Sequence, residues 1–477
     1  MTSPRVQTRA APAAPSDPSA PSVHVVTFGC QMNKYDSLLV EGRFRSEGYR
    51  LTEDMDAADV ILFNTCSVRE HAEERVYSWL GELKGARERR PDLVVGVMGC
   101  LAQRAEGEVF ARAAHVDLVC GTRKLHRLPE LVAEIRRRRA GGLQPREQRL
   151  LEVGMDEEVA VERAGEHYSG GLVGYLTVMR GCDLNCTYCI VPTVRGRVQS
   201  RAPADLLREA RWMVDGGARV ITLLGQTVNA YGEDLEVASA ARGRGGRPGL
   251  ADLLYSLQEL EGLARIRLIT LHPSYVSAEL ARAIAACDKV DRFLPLPAQS
   301  GSDAVLKRMR RGYTRALYLE RLALLREHVP DLELGSDWIV GFPGESAADF
   351  EATLAFLEEI GSVQNYVFQY SPRPGTRAFE LADDVPEEAK KERNAELLRC
   401  SERVALARHR RRIGQDLAVF VEEARAEAGT WKGRTHHNLP VSFAGHEVEP
   451  GRSLAVRIEE ASAFGLWGIA SACEREA

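Results

Sequence analysis

Three short segments near the start of the chain end alike. "VHVVTFGC" stops at Cys30, "ADVILFNTC" at Cys66 and "DLVVGVMGC" at Cys100. Each is a β-branched, apolar run of the kind that forms a strand buried on both faces. Between them lie helical patterns, "DSLLVEGRFRSEGY" and "SVREHAEERVYSWLGELKGARERR", the second with Ser67 placed to cap it. Strand–helix alternation demands parallel pairing and right-handed crossovers, so residues 23–140 are expected to form a doubly wound parallel sheet. A fourth run, "HVDLVCGT", follows. Adjacent parallel strands lie roughly 5 Å apart, so three neighbouring strand ends gather their thiols at one sheet edge. That edge is where ligands bind in such folds. Cys120 lies within its strand and reads as packing; Cys287, Cys400 and Cys473 have no partners in the pattern.

From 168 to 405 the strand–helix unit repeats six times, with strands expected at 172–180, 218–225, 264–271, 292–298, 333–342 and 363–370. Six units are too few for a closed eight-stranded barrel, so an open, partial barrel fits, its active face at the strands' C-terminal ends. Residues 237–248, rich in Gly and Arg, read as an excursion loop. After Ile413 the texture changes to alternating, turn-punctuated strands, "DLAVFVEEA", "TWKGRTHHNLPVSF" and "SLAVRIEEASAFGLWGIA". Residues 414–475 are therefore expected to form a small all-β barrel of a shape often used for RNA.

Composition narrows the class. The 477 residues carry a net charge of −5, which excludes a globally basic nucleic-acid binder. Basic residues are bunched in "IRRRRAGG", "LKRMRRGYTR" and "ARHRRRIG", each read most simply as a solvated helix end and together as patches able to track a phosphate backbone. No run approaches the eighteen apolar residues that a membrane span needs. The Ala/Pro/Ser-rich residues 1–22 lack the apolar core of a secretory signal and read as a disordered tail. Ten cysteines in a chain of this kind point to a reducing compartment, the cytoplasm, where cysteine clusters bind metals or catalyse.

The most specific pattern is "GCDLNCTYC", with Cys182, Cys186 and Cys189 in a CxxxCxxC spacing directly after the first strand of the six units. Zinc wants a fourth ligand, and no nearby His supplies one. Thiolates suit iron–sulfur clusters, and a four-iron cube on three cysteines keeps one iron open to a substrate. This combination resembles the radical S-adenosylmethionine superfamily. The resemblance implies that S-adenosylmethionine chelates the open iron of a 4Fe-4S cluster and yields a 5′-deoxyadenosyl radical.

Over nearly all of 23–472 the chain is similar to the methylthiotransferases of that superfamily, through "TFGCQMNKYDS", "NTCSVREHAEERV", "GCLAQR", "GCDLNCTYCIVPTVRGRVQSR", "LLGQTVNAYG", "LPAQSGSD", "IVGFPGE" and "YSPRPGTRA". "TFGCQMN" and "NTCSVRE" resemble the branch acting on tRNA, and "GRTHHN" resembles the TRAM RNA-binding module. The overall expectation is an α/β chain with an N-terminal doubly wound sheet, a central partial (βα)6 radical SAM barrel and a C-terminal all-β TRAM barrel. By the resemblance, Cys30, Cys66 and Cys100 hold a second, auxiliary 4Fe-4S cluster that carries the sulfur to be transferred. The substrate would be N6-isopentenyladenosine at position 37, in the tRNA anticodon loop; alternatives are threonylcarbamoyladenosine of tRNA, a ribosomal protein, or a non-enzymatic iron–sulfur RNA-binding role. A low-potential donor such as a flavodoxin or ferredoxin would supply electrons to a monomer.

Weaker candidates complete the list. Gln226, Gln299, Ser300 and Asp337 stand at strand ends or within the fifth strand and face the rim, where they would touch S-adenosylmethionine or cap the strands. His272 reads as a loop residue. Lys432, Arg434, His436 and His437 lie on the expected RNA face. Arg180 before Gly181, where an acidic residue is common, Ala298 in "LPAQSGSD" and the 237–248 insert depart from the family pattern.

Overall fold

The buried β-branched runs build a single parallel sheet at the N-terminus. The computed structural model describes residues 19–67, 70–155, 170–238, 241–425, 429–446 and 448–471. Most of the expected tail, residues 1–18, lies outside the described residues, as do 472–475 of the C-terminal segment. The strands are β1 (Ser22–Phe28), β2 (Arg50–Leu51), β3 (Val60–Thr65), β4 (Val94–Gly99), β5 (Leu118–Cys120) and β6 (Leu150–Glu152), in the order β2-β1-β3-β4-β5-β6. Helices α1 (Gln31–Ser46), α2 (Glu70–Arg89), α3 (Cys100–Ala105), α4 (Glu108–Arg112) and α5 (Leu128–Ala140) connect them. Alternation along β3 sends Ile61 and Phe63 to one apolar core with Val76 and Leu80 of α2, and Val60 and Leu62 to another with Val40 and Phe44 of α1. Both faces are covered, as a doubly wound sheet requires. Because the chain leaves β1 for β2 on one side and reaches β3 on the other, the strand order reverses beside β1 and β3, the position where such sheets bind ligands.

The central region has six parallel strands in two triplets. β7 (Val173–Thr177), β10 (Val220–Leu224) and β11 (Arg265–Leu268) form one, and β12 (Phe293–Pro295), β13 (Glu333–Val340) and β14 (Gln364–Gln369) the other. A bridge from Ile266 to Val290 and a bond from Leu271 N–H to the Pro295 carbonyl, 3.2 Å, join them into one open curve. Between β7 and β10, β8 (Met179–Arg180) and β9 (Gln199–Ser200) form a small antiparallel pair flanking α6 (Val191–Arg195). Helices α7 (Pro203–Asp215), α8 (Leu250–Gln258), α9 (Ala278–Ala286), α10 (Asp303–Arg308), α11 (Arg315–His328), α12 (Ala347–Ile360) and α13 (Glu387–Arg410) follow along the chain. Their apolar sides and the strand residues that alternate toward them form the largest core. Met32, Tyr35 and Leu39 of α1 pack instead on Tyr175, Leu224 and Ile269, so the N-terminal sheet docks on the central strands.

β15 (Asp416–Ala424), β16 (Thr430–Thr435), β17 (Pro440–Ala444), β18 (Ser453–Ser462) and β19 (Gly465–Ala470) close into a barrel in the order β15-β16-β17-β19-β18. Val419, Val421, Val441, Phe443, Val456 and Ile458 fill it, and Phe293 and Val363 of the central region join the same cluster.

The basic runs divide. Arg410 and Arg411 are exposed helix-end cations. Others are spent inside the fold: Arg139 pairs with Asp117 at 2.6 Å, and Arg408 and Arg412 grip Glu333 at 2.8 and 3.3 Å. Burial of a lone carboxylate is costly, so the fold draws in guanidinium partners.

Candidate radical and auxiliary cluster sites

Phe28 of β1 pairs with Thr65 of β3, and Thr65 with Gly99 of β4, so three adjacent strands finish in one register. Cys30, Cys66 and Cys100 follow within one or two residues, and their thiols share one electrostatic neighbourhood. Gly29 makes the approach possible, with φ +134° and no room for a side chain; a Cβ there would lie 2.6 Å from the Cys66 Cβ. Beneath the trio, Asn33 Nδ2 donates to Asn64 Oδ1 at 2.9 Å and Asn64 Nδ2 to the Asn33 carbonyl at 2.8 Å, clamping α1 to β3. Ser67 Oγ bonds the Cys100 carbonyl at 3.2 Å, which fastens the end of β3 to the end of β4. The Cys30 thiol falls to about 6, chiefly through its bond with Cys66, with Arg195 and two backbone amides assisting against burial. Burial pushes the Cys100 thiol up, and Arg195 opposes it.

The 182–189 loop is shaped by a different set of contacts. Gly181 has φ +73°, and a Cβ would overlap the Arg197 carbonyl oxygen. Cys182 N–H bonds the Gly196 carbonyl at 3.0 Å, and its sulfur lies 3.4 Å from Thr227 Oγ1. Thr187 is pinned twice at 3.0 Å, through its amide to the Met309 carbonyl and through its hydroxyl to that of Arg308. The next turn supplies Arg311, whose Nη1 is 3.2 Å from Cys186 Sγ. Burial pushes the Cys182 thiol up and Cys189 up to about 12, the latter with help from the neighbouring sulfurs. The three thiols thus face one another beside a buried cation.

The two trios lie on either side of one seam. Ile190 and Val194, which follow the 182–189 loop, pack with Cys100. Arg195, 5 % exposed, bonds Asp36 of α1 at 2.8 Å, and Arg180 approaches the same carboxylate at 3.4 Å. The departure at Arg180 therefore has a local use: it is the second cation on a fully buried aspartate.

Both trios suit iron–sulfur cubes by donor chemistry: three soft thiols, few other ligands, and a guanidinium beside each to balance anionic charge. Among the described residues no three His, Cys, Asp or Glu side chains close tightly enough to share a single ion. Ligands to separate corners of a cube stand farther apart than ligands to one metal. Cys120 ends β5, fully buried, its thiol pushed far up by burial, and it joins an apolar core.

The remaining candidates fall into distinct surroundings. Gln226 precedes Thr227, the Cys182 partner, and its buried Oε1 has no hydrogen-bond partner among the described residues. Gln299 adopts φ +66° and ties β13 on both sides, its amide to Asp337 and its carbonyl to Ile339. Asp337 alternates away from the helix-facing Trp338 and Val340. Ser300 is fully buried and its hydroxyl is taken up by Thr353 and the Ser302 amide, a structural use. His272 is neutral over the working range, its imidazole lowered to about 2 by burial and Arg311. Its Nδ1 accepts from the Ser274 amide at 3.3 Å.

In the small barrel, His436 and His437 turn toward the central region. His436 Nε2 lies 2.9 Å from the Val290 carbonyl, and His437 Nε2 2.9 Å from Asp331 Oδ2. Lys432 is exposed and pairs with Glu423 at 2.7 Å; Arg434 bonds the Asn438 carbonyl at 3.0 Å. Sequence reasoning missed Arg311, Arg195, Asp36 and Thr227. All but Thr227's thiol contact were foreshadowed only as charges inside recognised motifs or a basic run.

An open six-strand barrel with a three-thiol loop after its first strand defines a radical S-adenosylmethionine protein, and residues 176–357 match the Radical SAM superfamily. Residues 22–121 match Uncharacterized protein family UPF0004. The tRNA-2-methylthio-N(6)-dimethylallyladenosine synthase of Syntrophotalea carbinolica is 42% identical over 92% of this chain and 97% of its own length. Its namesake from Akkermansia muciniphila is 38% identical over 94% and 98%. The chain belongs to the tRNA-2-methylthio-N(6)-dimethylallyladenosine synthase family. Among solved structures, the radical S-adenosylmethionine methyltransferase TsrM from Kitasatospora setae shares the fold, with TM-score 0.53 at 15% identity, covering 87% of this chain and 80% of that one.

Proposed function

We propose that this chain is a tRNA methylthiotransferase that converts N6-isopentenyladenosine at position 37 to its 2-methylthio derivative. The observation that carries the reading is the pair of three-thiol sites meeting at one seam, in a chain 42% identical to a synthase of that name. Cys182, Cys186 and Cys189 would hold the 4Fe-4S cluster that receives S-adenosylmethionine, and Cys30, Cys66 and Cys100 the auxiliary cluster. When bound, these groups supply the one-electron chemistry and the sulfur needed to replace an aromatic C–H, which no side-chain base can deprotonate. The chain's own residues do the positioning. Arg311 orients Cys186 and balances its charge, and the Thr227 hydroxyl orients Cys182 through a hydrogen bond. Gln226 and Asp337 are the best placed to contact S-adenosylmethionine, with Gln299 setting the β13 edge and Ser300 supporting it from behind. Lys432 and Arg434 would grip the tRNA backbone outside the anticodon loop, while His436 and His437 hold the barrel against the body. A flavodoxin or ferredoxin would deliver electrons to a cytoplasmic monomer. No helix among the described residues is long and apolar enough to cross a membrane.

The test is nucleoside mass spectrometry of tRNA from a strain lacking the gene and from the same strain complemented. Loss of the methylthio nucleoside, accumulation of isopentenyladenosine and restoration on complementation are expected. Unchanged isopentenyladenosine with altered threonylcarbamoyladenosine would reassign the substrate.

A further inference from the structure

Arg195 occupies an unusual position for a residue of the radical loop. It ends α6, six residues beyond Cys189, yet its guanidinium crosses the seam into the N-terminal sheet. There it bonds Asp36 Oδ2 at 2.8 Å, its neighbour Val194 packs on Cys100, and its charge bears on the Cys100 and Cys30 thiols. Arg195 is 5 % exposed and Asp36 fully buried. Asp36 does not neutralise the site alone, since Arg180 shares the same carboxylate at 3.4 Å. The guanidinium is therefore fixed at one end by a carboxylate, on a helix whose Val194 packs against Cys100.

We propose that Arg195, carried by the helix that follows the 182–189 loop, is the positioning residue of the auxiliary cluster: its guanidinium donates to the Cys100 sulfur, and its charge holds that cluster's reduction potential up. Cluster potentials are set by net charge, hydrogen bonds to sulfur and solvent exposure, and a buried cation favours the state carrying one more electron. The planar fork serves two acceptors at once, Asp36 and sulfur, as a lysine ammonium does less well. The radical loop and the auxiliary trio then share one charged side chain, so the electron-rich state of one site depends on the fold of the other. The proposal rests on the reading that Cys30, Cys66 and Cys100 ligate that cluster.

The test uses the full chain with Cys182, Cys186 and Cys189 replaced by alanine, so that one cluster remains. Iron content checks the underlying reading first: about four irons per chain are expected, and an iron-free protein would overturn the ligand assignment. Reductive titration followed by electron paramagnetic resonance then reads the potential. Arg195→Gln should shift it to a more negative value and alter the reduced-state spectrum. Arg197→Gln removes the same charge from a side chain 90% exposed two residues away and should leave both unchanged. Arg195→Lys, which keeps the charge, should retain four irons and a potential close to the parent's. If Arg195→Gln titrates like the parent, or if Arg195→Lys shifts as far as Arg195→Gln or loses the iron, the side chain serves packing alone and the proposal fails.

Discussion

Arg311 Nη1 stands 3.2 Å from Cys186 Sγ; the residue is 6 % exposed, and its Nε is braced by Tyr313 Oη at 3.3 Å. A buried thiolate needs such a partner, because an uncompensated charge in the interior is costly. Arg311→Ala is therefore expected to lower iron content by about half, two cubes to one, and to reduce 5′-deoxyadenosine formation more than tenfold. Arg311→Lys keeps the charge without the fork and should fall between the two. Iron and 5′-deoxyadenosine assays on the same preparations check this; full iron in Arg311→Ala would remove the charge-balancing role.

Gly181 and Gly48 offer a controlled comparison. Both have positive φ, +73° and +82°, but a Cβ at 181 meets the Arg197 carbonyl while one at 48 has nothing within 4 Å. Each alanine pays backbone strain of about 1–3 kcal/mol. Only Gly181→Ala must also displace the Gly196–Arg197 backbone that returns beside the loop. Loss of one cluster is expected for Gly181→Ala and none for Gly48→Ala, read from iron per folded chain. Equal losses would mean that strain, and not the loop's tight turn, controls the site.

The two seam histidines should make the docking of the small barrel on the body weaken with acid. Burial, with Arg265 and Arg292 adding, lowers the His436 imidazole to about 4, and burial also lowers His437 beside Asp331. Released from the seam, both histidines would titrate near the ordinary value of about 6.5. Between those values the released state binds more protons, so the docked state loses stability as pH falls from about 6.5 toward 4. Thermal unfolding at pH 7 and pH 5 should show the histidine contribution as a drop of the barrel transition with acid, opposed by Asp291 at the same seam, whose carboxyl is held up to about 6 by burial. His436→Gln should reduce that drop; an unchanged drop would place the acid sensitivity elsewhere.

Much of this arrangement was legible in the sequence, and the limits are physical. Strand ends punctuated by Cys30, Cys66 and Cys100 gave the sheet and its ligand edge, since parallel strands in register can only bring such residues together. The CxxxCxxC spacing located the other trio because a loop that wraps a central object must close locally. Arg311 was hidden in "LKRMRRGYTR", where composition cannot distinguish a solvated cation from a buried one. Asp36 and Arg195 meet across 159 residues of sequence separation, and no local pattern encodes that pairing. The contacts of the "GRTHHN" histidines with Val290 and Asp331 were hidden for a related reason: a barrel's outer face is polar whether it meets RNA or its own body.

Lys432 and Arg434 carry the RNA prediction that remains after His436 and His437 turn inward. Lys432 is 49% exposed and its surface pair with Glu423 contributes little stability. Lys432→Ala should leave the fold intact, weaken tRNA binding similarly for all tRNAs, and reduce the slope of log affinity against log salt by about 1, one phosphate contact. An unchanged slope measured by filter binding across a salt series would clear this face of any phosphate contact.

The central claim is that the two trios perform separable jobs at one seam, and the most direct measurement quantifies 5′-deoxyadenosine and 2-methylthio-N6-isopentenyladenosine in the same reaction. Cys30→Ala should still form 5′-deoxyadenosine under reducing conditions and make no methylthio nucleoside, because the sulfur-bearing site is gone. Cys186→Ala should make neither product. A Cys30→Ala protein that retains the 182–189 cluster yet forms no 5′-deoxyadenosine, or a Cys186→Ala protein that still modifies tRNA, would contradict the account.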